Sequence, residues 1–531
     1  MSESNIEASL TESTVFVSDT ASVRSLESTA PVEPETQTEE KLEEQTETPQ
    51  PTLKNKTVAI IGAGLVGCLA ALAFERKGYK VKVYEGRPDA RTPEQRKIFS
   101  FRSINMAVSS RGILALETVD KAMADRVLKN LIPMRARMVH DLAGNEISQN
   151  YGLYGEAINS IDRADLNCGL LDELDASANI ETFFNHKLVR ATFKPSVKLT
   201  FSVTQPMEND KFSNILEVDD VDLLVGCDGA HSVVRSQLQK YVRMDLNQEY
   251  IDHAYMELRI NRIHDDLNEE NKFKMDKNHL HIWPRGSHML IALPNTDGSF
   301  TSTLFAPWKI VEGLDTDEKV LDFFWRDFPD VFEKGLMTKE DILKAFHENP
   351  RGSLICIKCS PYHFEDKCII IGDAAHSMVP FYGQGMNCGF EDVRILMELL
   401  EKRDFNDIKG SFDEYTETRH KDLTAIIDLA MRNYVEMRES VVSTSYKMRK
   451  KLDGILSKTL KDYWLPLYTM VSFRPDISYS EAVRRERLQA NIVRNIVTGV
   501  TGLFFATGVV TAFNIAHKLK LLPSVFGRCC K

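Results

Sequence analysis

Val58-Ala59-Ile60-Ile61-Gly62-Ala63-Gly64-Leu65-Val66-Gly67 is a short apolar, β-branched run that passes directly into a glycine-rich turn. A helical pattern follows to Lys77, Gly78 stops it, and Tyr79 to Glu85 alternates as a second strand would. The three glycines have separate tasks. Gly62 makes the tight turn, Gly64 lets the backbone approach a pyrophosphate, and Gly67 lets helix pack on strand. The start of the helix then offers unpaired N–H groups and partial positive charge to phosphates. Glu85 ends the second strand at the spacing where a carboxylate takes ribose hydroxyls, and its acidity favours a free 2′-hydroxyl (FAD or NAD) over a 2′-phosphate. Strand, turn, helix and acid in register predict a dinucleotide site.

At 531 residues the chain has room for more than one subdomain. Its net charge of −11 is concentrated at one end, since residues 1–50 carry twelve acids against Arg24 and Lys41. The remainder is close to neutral and lacks the clustered basic face that nucleic-acid binding needs. Residues 1–53, rich in Ser, Thr, Glu and Pro, are expected to be a disordered acidic tail. They have neither the arginines of a matrix-targeting peptide nor the apolar core of a secretory signal. Nine scattered cysteines indicate a reducing compartment, and the Cys356/Cys359 pair reads as structural because no second pair stands at zinc spacing.

From Tyr250 to about Pro307 short alternating strands and turn residues predict an antiparallel sheet, and helical patterns dominate from Phe390 to about Leu460. Ile496 to Ala516 has no charged residue over 21 positions, the length that crosses a bilayer, and is expected to be a membrane anchor. Cys529 and Cys530 near the end do not form a prenylation box. The expected fold is α/β: a Rossmann-like FAD-binding domain (54–245 and 353–410) with an inserted antiparallel sheet domain for substrate (246–352). A helical part (411–490) would complete the active site, followed by one transmembrane helix (491–517) and a short tail (518–531).

Two more glycine–aspartate turns lie far along the chain: Cys227-Asp228-Gly229-Ala230-His231 and Gly372-Asp373-Ala374-Ala375-His376. Then comes Gly383-Gln384-Gly385-Met386-Asn387-Cys388-Gly389, opening a helix. A carboxylate such as Asp373 can accept hydrogen bonds from polyol hydroxyls. Main-chain amides at Gly383–Asn387 can stabilise negative charge on a reduced ring, or the segment can be a simple helix cap with Asn387 as capping residue. The three turns together, in this order, resemble the flavoprotein aromatic hydroxylases of the para-hydroxybenzoate hydroxylase class. Within that class, Arg102-Ser103-Ile104-Asn105-Met106-Ala107, Ile132-Pro133-Met134-Arg135-Ala136-Arg137-Met138, His281-Ile282-Trp283-Pro284-Arg285 and Asn433-Tyr434-Val435-Glu436-Met437-Arg438 are similar to the kynurenine 3-monooxygenase family.

The resemblance implies an FAD enzyme that uses NADPH and O₂ to hydroxylate L-kynurenine. It implies Arg137, Tyr151, Asn433 and Tyr468 around the substrate, with no protein nucleophile and no metal. Around FAD it implies Gly62, Gly64, Val66, Gly67, Tyr84, Glu85, Arg87, Ala107, Arg163, Leu188, Asp228, Asp373, Gln384, Met386 and Asn387. With one GxGxxG, the nicotinamide would visit and leave. The resemblance also implies the mitochondrial outer membrane, catalytic part facing the cytosol. Two alternatives stay open at this point: a sister hydroxylase acting on another aromatic, and a non-catalytic, tail-anchored binding protein of the same fold.

Overall fold

The structure, a computed structural model, describes residues 56–100, 105–152, 154–205, 212–263, 272–438 and 444–518. The expected 1–53 tail, the Arg102-Ser103-Ile104 segment, and Cys529 and Cys530 of the C-terminal tail lie outside them.

The strand Thr57–Ile61 sits inside a six-stranded sheet, between Lys80–Tyr84 and Leu223–Gly226. Both pairings are parallel, and Cys368–Ile370 adds on parallel beyond Leu223–Gly226. This order places the carboxyl ends of three strands side by side, and each runs into one of the three glycine turns. Val58, Ala59 and Ile60 are fully buried, as expected of a strand covered on both faces. The helix Leu65–Arg76 packs over them with nine buried residues.

A seven-stranded sheet forms the second layer. It draws on more of the chain than the 246–352 expected from sequence. Ala136–His140 and Glu146–Asn150 join one edge, and Gly352–Ser360 the other. The contact between Ala136–His140 and His279–Arg285 is parallel, which sequence alternation alone cannot reveal. A separate apolar cluster fastens helices 308–348 to the outer face of this sheet.

On that sheet His140 and His281 are buried with their rings 2.9 Å apart between Nε2 and Nδ1. His281 Nε2 faces the carbonyl of Asp276 at 2.9 Å, so it carries the proton, and Nδ1 accepts from His140. Burial, with the neighbouring His140 and His279, lowers His281 from 6.5 to about 4. A depressed histidine favours the fold fully above pH 6.5, and this contribution is lost as pH falls toward 4. Urea midpoints should therefore fall through that window. His281→Gln, which can serve both partners without titrating, should flatten the slope by at most about 1.4 kcal/mol per pH unit. An unchanged slope would refute the assignment.

The described residues close with one 40-residue helix, Tyr479–Lys518. The expected transmembrane anchor at 491–517 is corrected here. Among the described residues no helix is long and apolar enough to cross a membrane. The stretch is helical, but Thr498, Gly499, Thr501, Thr507, Gly508 and Thr511 dilute its apolar residues, and the side chains of 502–506 lie outside the described residues.

Candidate active site

The three glycine turns converge on one cavity of about 840 Å³, which continues to the seven-stranded sheet. Gly62 adopts φ +102°, a backbone conformation that favours glycine, and a Cβ at Gly67 would overlap the Gly62 carbonyl. Gly64 is different: a Cβ there would meet nothing within 4 Å. Protein packing does not require glycine at Gly64, so the open space beside the helix start is a cradle for a ligand. No acid stands in the first turn of that helix, which suits a pyrophosphate. Asp373 lines the same cavity and is exposed to it. These residues fit FAD.

Of the expected cofactor residues, Gly62, Gly64, Val66, Tyr84, Glu85, Arg87, Ala107, Arg163, Leu188, Asp228, Asp373 and Met386 line the cavity. Gly67, Gln384 and Asn387 do not. Gly67 lies under the turn, as its packing task demands. Asn387 is fully buried: Oδ1 accepts from Ser109 N at 2.8 Å, and Nδ2 donates to the carbonyls of Ala107 and Gly383. It braces the loop from behind, and it sits inside the helix Gly385–Glu401 rather than at its N-cap. Glu85 accepts from Ala63 N and Arg87 N, both at 2.9 Å. Burial would raise its carboxyl, but the Arg87 guanidinium and these amides hold it below the usual range. Asp228 caps the helix Val233–Leu238, accepting from Ser232 Oγ and the amides of Val233 and Val234. Its contribution is thus to shape the turn.

The other end of the cavity carries Arg137, Tyr151 and Tyr468. Arg137 is 5% exposed, on the strand Ala136–His140. Its guanidinium lies over the rings of Tyr151 (5.6 Å) and Tyr468 (4.9 Å), which stack at 5.1 Å. Burial, and then Tyr468, pushes the Tyr151 phenol well above its ordinary value, so it is a neutral donor. Glu436 approaches Arg137 at 3.6 Å, so the guanidinium already faces a carboxylate. Leu280, Ile291, Leu293, Phe305 and Phe381 provide apolar wall. Asn433 is not in the wall. Its amide donates to the Phe381 carbonyl at 2.7 Å, so it holds the Pro380–Tyr382 turn and does not face the cavity.

Sequence reading gave no role to a buried charged network behind the site. Arg419 bonds Glu391 (2.8 Å) and Asp392 (2.9 Å), and Arg111 bonds Glu391 (2.7 Å). Asp392 in turn accepts from Gly372 N at 3.0 Å and from His376, fixing the turn that carries Asp373. Burial would raise both carboxyls. Arg419 with Arg111 holds Glu391 down, and His376 with Arg419 holds Asp392 down. His376, Cys388 and Asp392 lie close enough to suggest a metal site, yet Arg419 bonds both Asp392 and Cys388, and its charge opposes a cation there. Isolated charges within helical patterns gave no sequence signal for this network. Glu436 belongs to the 433–438 stretch, and only the packing of its helix against the Ala136–His140 strand brings it to Arg137.

A family model described as "FAD binding domain" matches residues 55–430. Kynurenine 3-monooxygenase of Candida albicans is 52% identical over 456 residues, which is 86% of this chain and 96% of that protein. The proteins of that name from Yarrowia lipolytica and Saccharomyces cerevisiae are 50% and 47% identical, each spanning 97% of its own length and 85% and 86% of this chain. Among solved structures, the tetrameric form of 2-methyl-3-hydroxypyridine-5-carboxylic acid oxygenase matches with a TM-score of 0.56 over 74% of this chain and 95% of that one. At 18% identity this likeness bears on the fold alone. With close relatives matched along nearly their whole length, an FAD-binding model over most of the chain, and one cavity joining the three glycine turns to Arg137, the chain belongs to the kynurenine 3-monooxygenase family.

Proposed function

We propose that the protein is an FAD-dependent monooxygenase that uses NADPH and O₂ to hydroxylate L-kynurenine at carbon 3 of its aromatic ring. The observation that carries this is the single cavity, with a dinucleotide cradle at one end and an arginine over a stacked pair of tyrosines at the other. One oxygen atom of O₂ replaces a ring hydrogen as hydroxyl, the other leaves as water, and NADPH supplies the two electrons. FAD, when bound, supplies the redox and oxygen chemistry.

The chain's own residues bind, orient and exclude water. Arg137 offers a planar fork to the amino-acid carboxylate, which takes the place Glu436 now holds. Tyr151 and Tyr468, stacked beside the guanidinium, add neutral donors. The apolar wall encloses the aromatic ring and keeps water from the reacting atoms. The ring amino group already activates the neighbouring carbon, so no strong protein base is required. NADPH is proposed as a visiting co-substrate, because the sequence has one dinucleotide loop and that loop suits FAD.

A purified sample should be yellow, and L-kynurenine should stimulate its NADPH oxidation with a product 16 mass units heavier. A colourless protein, or stimulation by phenolic acids but not by kynurenine, would overturn the reading. The cytosolic side of the mitochondrial outer membrane is proposed as its location, on the family resemblance alone. Fractionation placing the protein wholly in the matrix would refute that.

A further inference from the structure

Gly383 and Gly385 line the cavity, but the residue between them does not. Gln384 turns its side chain into the protein, is 1% exposed, and accepts a 3.0 Å hydrogen bond at Oε1 from the hydroxyl of Tyr479. Tyr479 is the first residue of the long C-terminal helix and is fully buried. Its ring lies 4.2 Å under the Arg111 guanidinium, and the residues on either side are tied down as well. Arg111 donates to the carbonyl of Ile477, and Ser480 N donates to Asp422 at 2.9 Å. On the opposite face, Asn387 donates to the Gly383 carbonyl at 2.8 Å. The loop is therefore pinned from two sides, and one pin belongs to a segment almost a hundred residues away.

We infer that Tyr479 is a positioning residue: by holding Gln384 it sets the Gly383–Met386 main chain against the ring end of the cofactor and couples the seat of the C-terminal helix to the flavin site. A buried hydroxyl and a buried amide oxygen have no water to turn to, so the pair is kept. The inference rests on the FAD reading above.

The test uses the full-length holoenzyme. Tyr479→Phe keeps the ring under Arg111 and removes only the hydroxyl. It should bind FAD roughly fivefold more weakly by fluorescence titration, the range set by one buried hydrogen bond. It should also divert a larger share of NADPH oxidation to hydrogen peroxide at saturating kynurenine, with KM for kynurenine changed less than twofold. Gln384→Met approaches the same bond from the other side and should give the same two changes, and the double variant should be no worse than either single one. Val320→Ala trims the remote second core and lowers thermal stability, but should leave FAD affinity and peroxide share at parental values. The inference fails if Tyr479→Phe and Gln384→Met both match the parent, or if Val320→Ala shifts both readouts equally. A yellow parent with unaffected variants overturns only this inference. A colourless parent overturns the FAD reading with it.

Discussion

Replacing Arg137 with alanine is expected to raise the kynurenine concentration for half-maximal turnover about a hundredfold, while the protein stays yellow. Arg137 is 5% exposed and its guanidinium lies over a stacked pair of tyrosine rings, so a carboxylate bound there would be largely removed from water. A charge-assisted, bidentate pair in such a setting loses about 2–5 kcal/mol when one partner is deleted. FAD affinity should be unaffected, because the cradle at Gly62–Gly67 and Asp373 occupies the other end of the cavity. Arg137→Lys should recover little, since an ammonium cannot reproduce the planar fork. Steady-state kinetics beside a flavin absorbance spectrum decides the matter. Normal kynurenine affinity in the alanine variant would remove the substrate assignment and leave the flavin assignment standing.

The second large effect concerns the charged network. Arg419→Leu would leave Glu391 and Asp392, each 2% exposed or less, without the cation both of them share. Breaking a buried pair from one side costs about 3–5 kcal/mol, because the surviving charge stays in the interior. Both carboxyls should then move up in pKa as burial outweighs the remaining Arg111 and His376. Asp392 also holds Gly372 N, so the turn carrying Asp373 loosens and flavin is lost along with stability. Urea unfolding and flavin content should both fall, and Arg419→Lys should recover part of each. A leucine variant with parental stability and full flavin would show the network to be dispensable.

The legible part of the site was local. Gly62 makes the turn and Gly67 the close packing that spacing implied, because a strand–turn–helix loop is built by neighbours in sequence. Asp373 and the Gly383 loop were legible only through resemblance, since a dipeptide has no chemistry of its own. Where side chains turned away, the reason is competition for hydrogen bonds. Asn433 is taken by the Phe381 carbonyl and Gln384 by Tyr479. The sheet boundary was misplaced for a related reason. Ala136–His140 pairs parallel with a strand nearly 150 residues on, and alternation within one strand does not report its neighbour.

From the sequence alone came the dinucleotide loop, the layered α/β plan and the run of antiparallel strands. Each rests on short-range periodicity or on a motif whose parts are contiguous. The tertiary structure alone decided which of those residues share a cavity, that Glu436 faces Arg137, and that Arg111, Arg419 and Tyr479 tie the C-terminal segment to the flavin loop. Those pairings join residues tens to hundreds of positions apart; apolar burial brings the segments together, and the polar groups buried with them must then find partners, which no window along the chain can display.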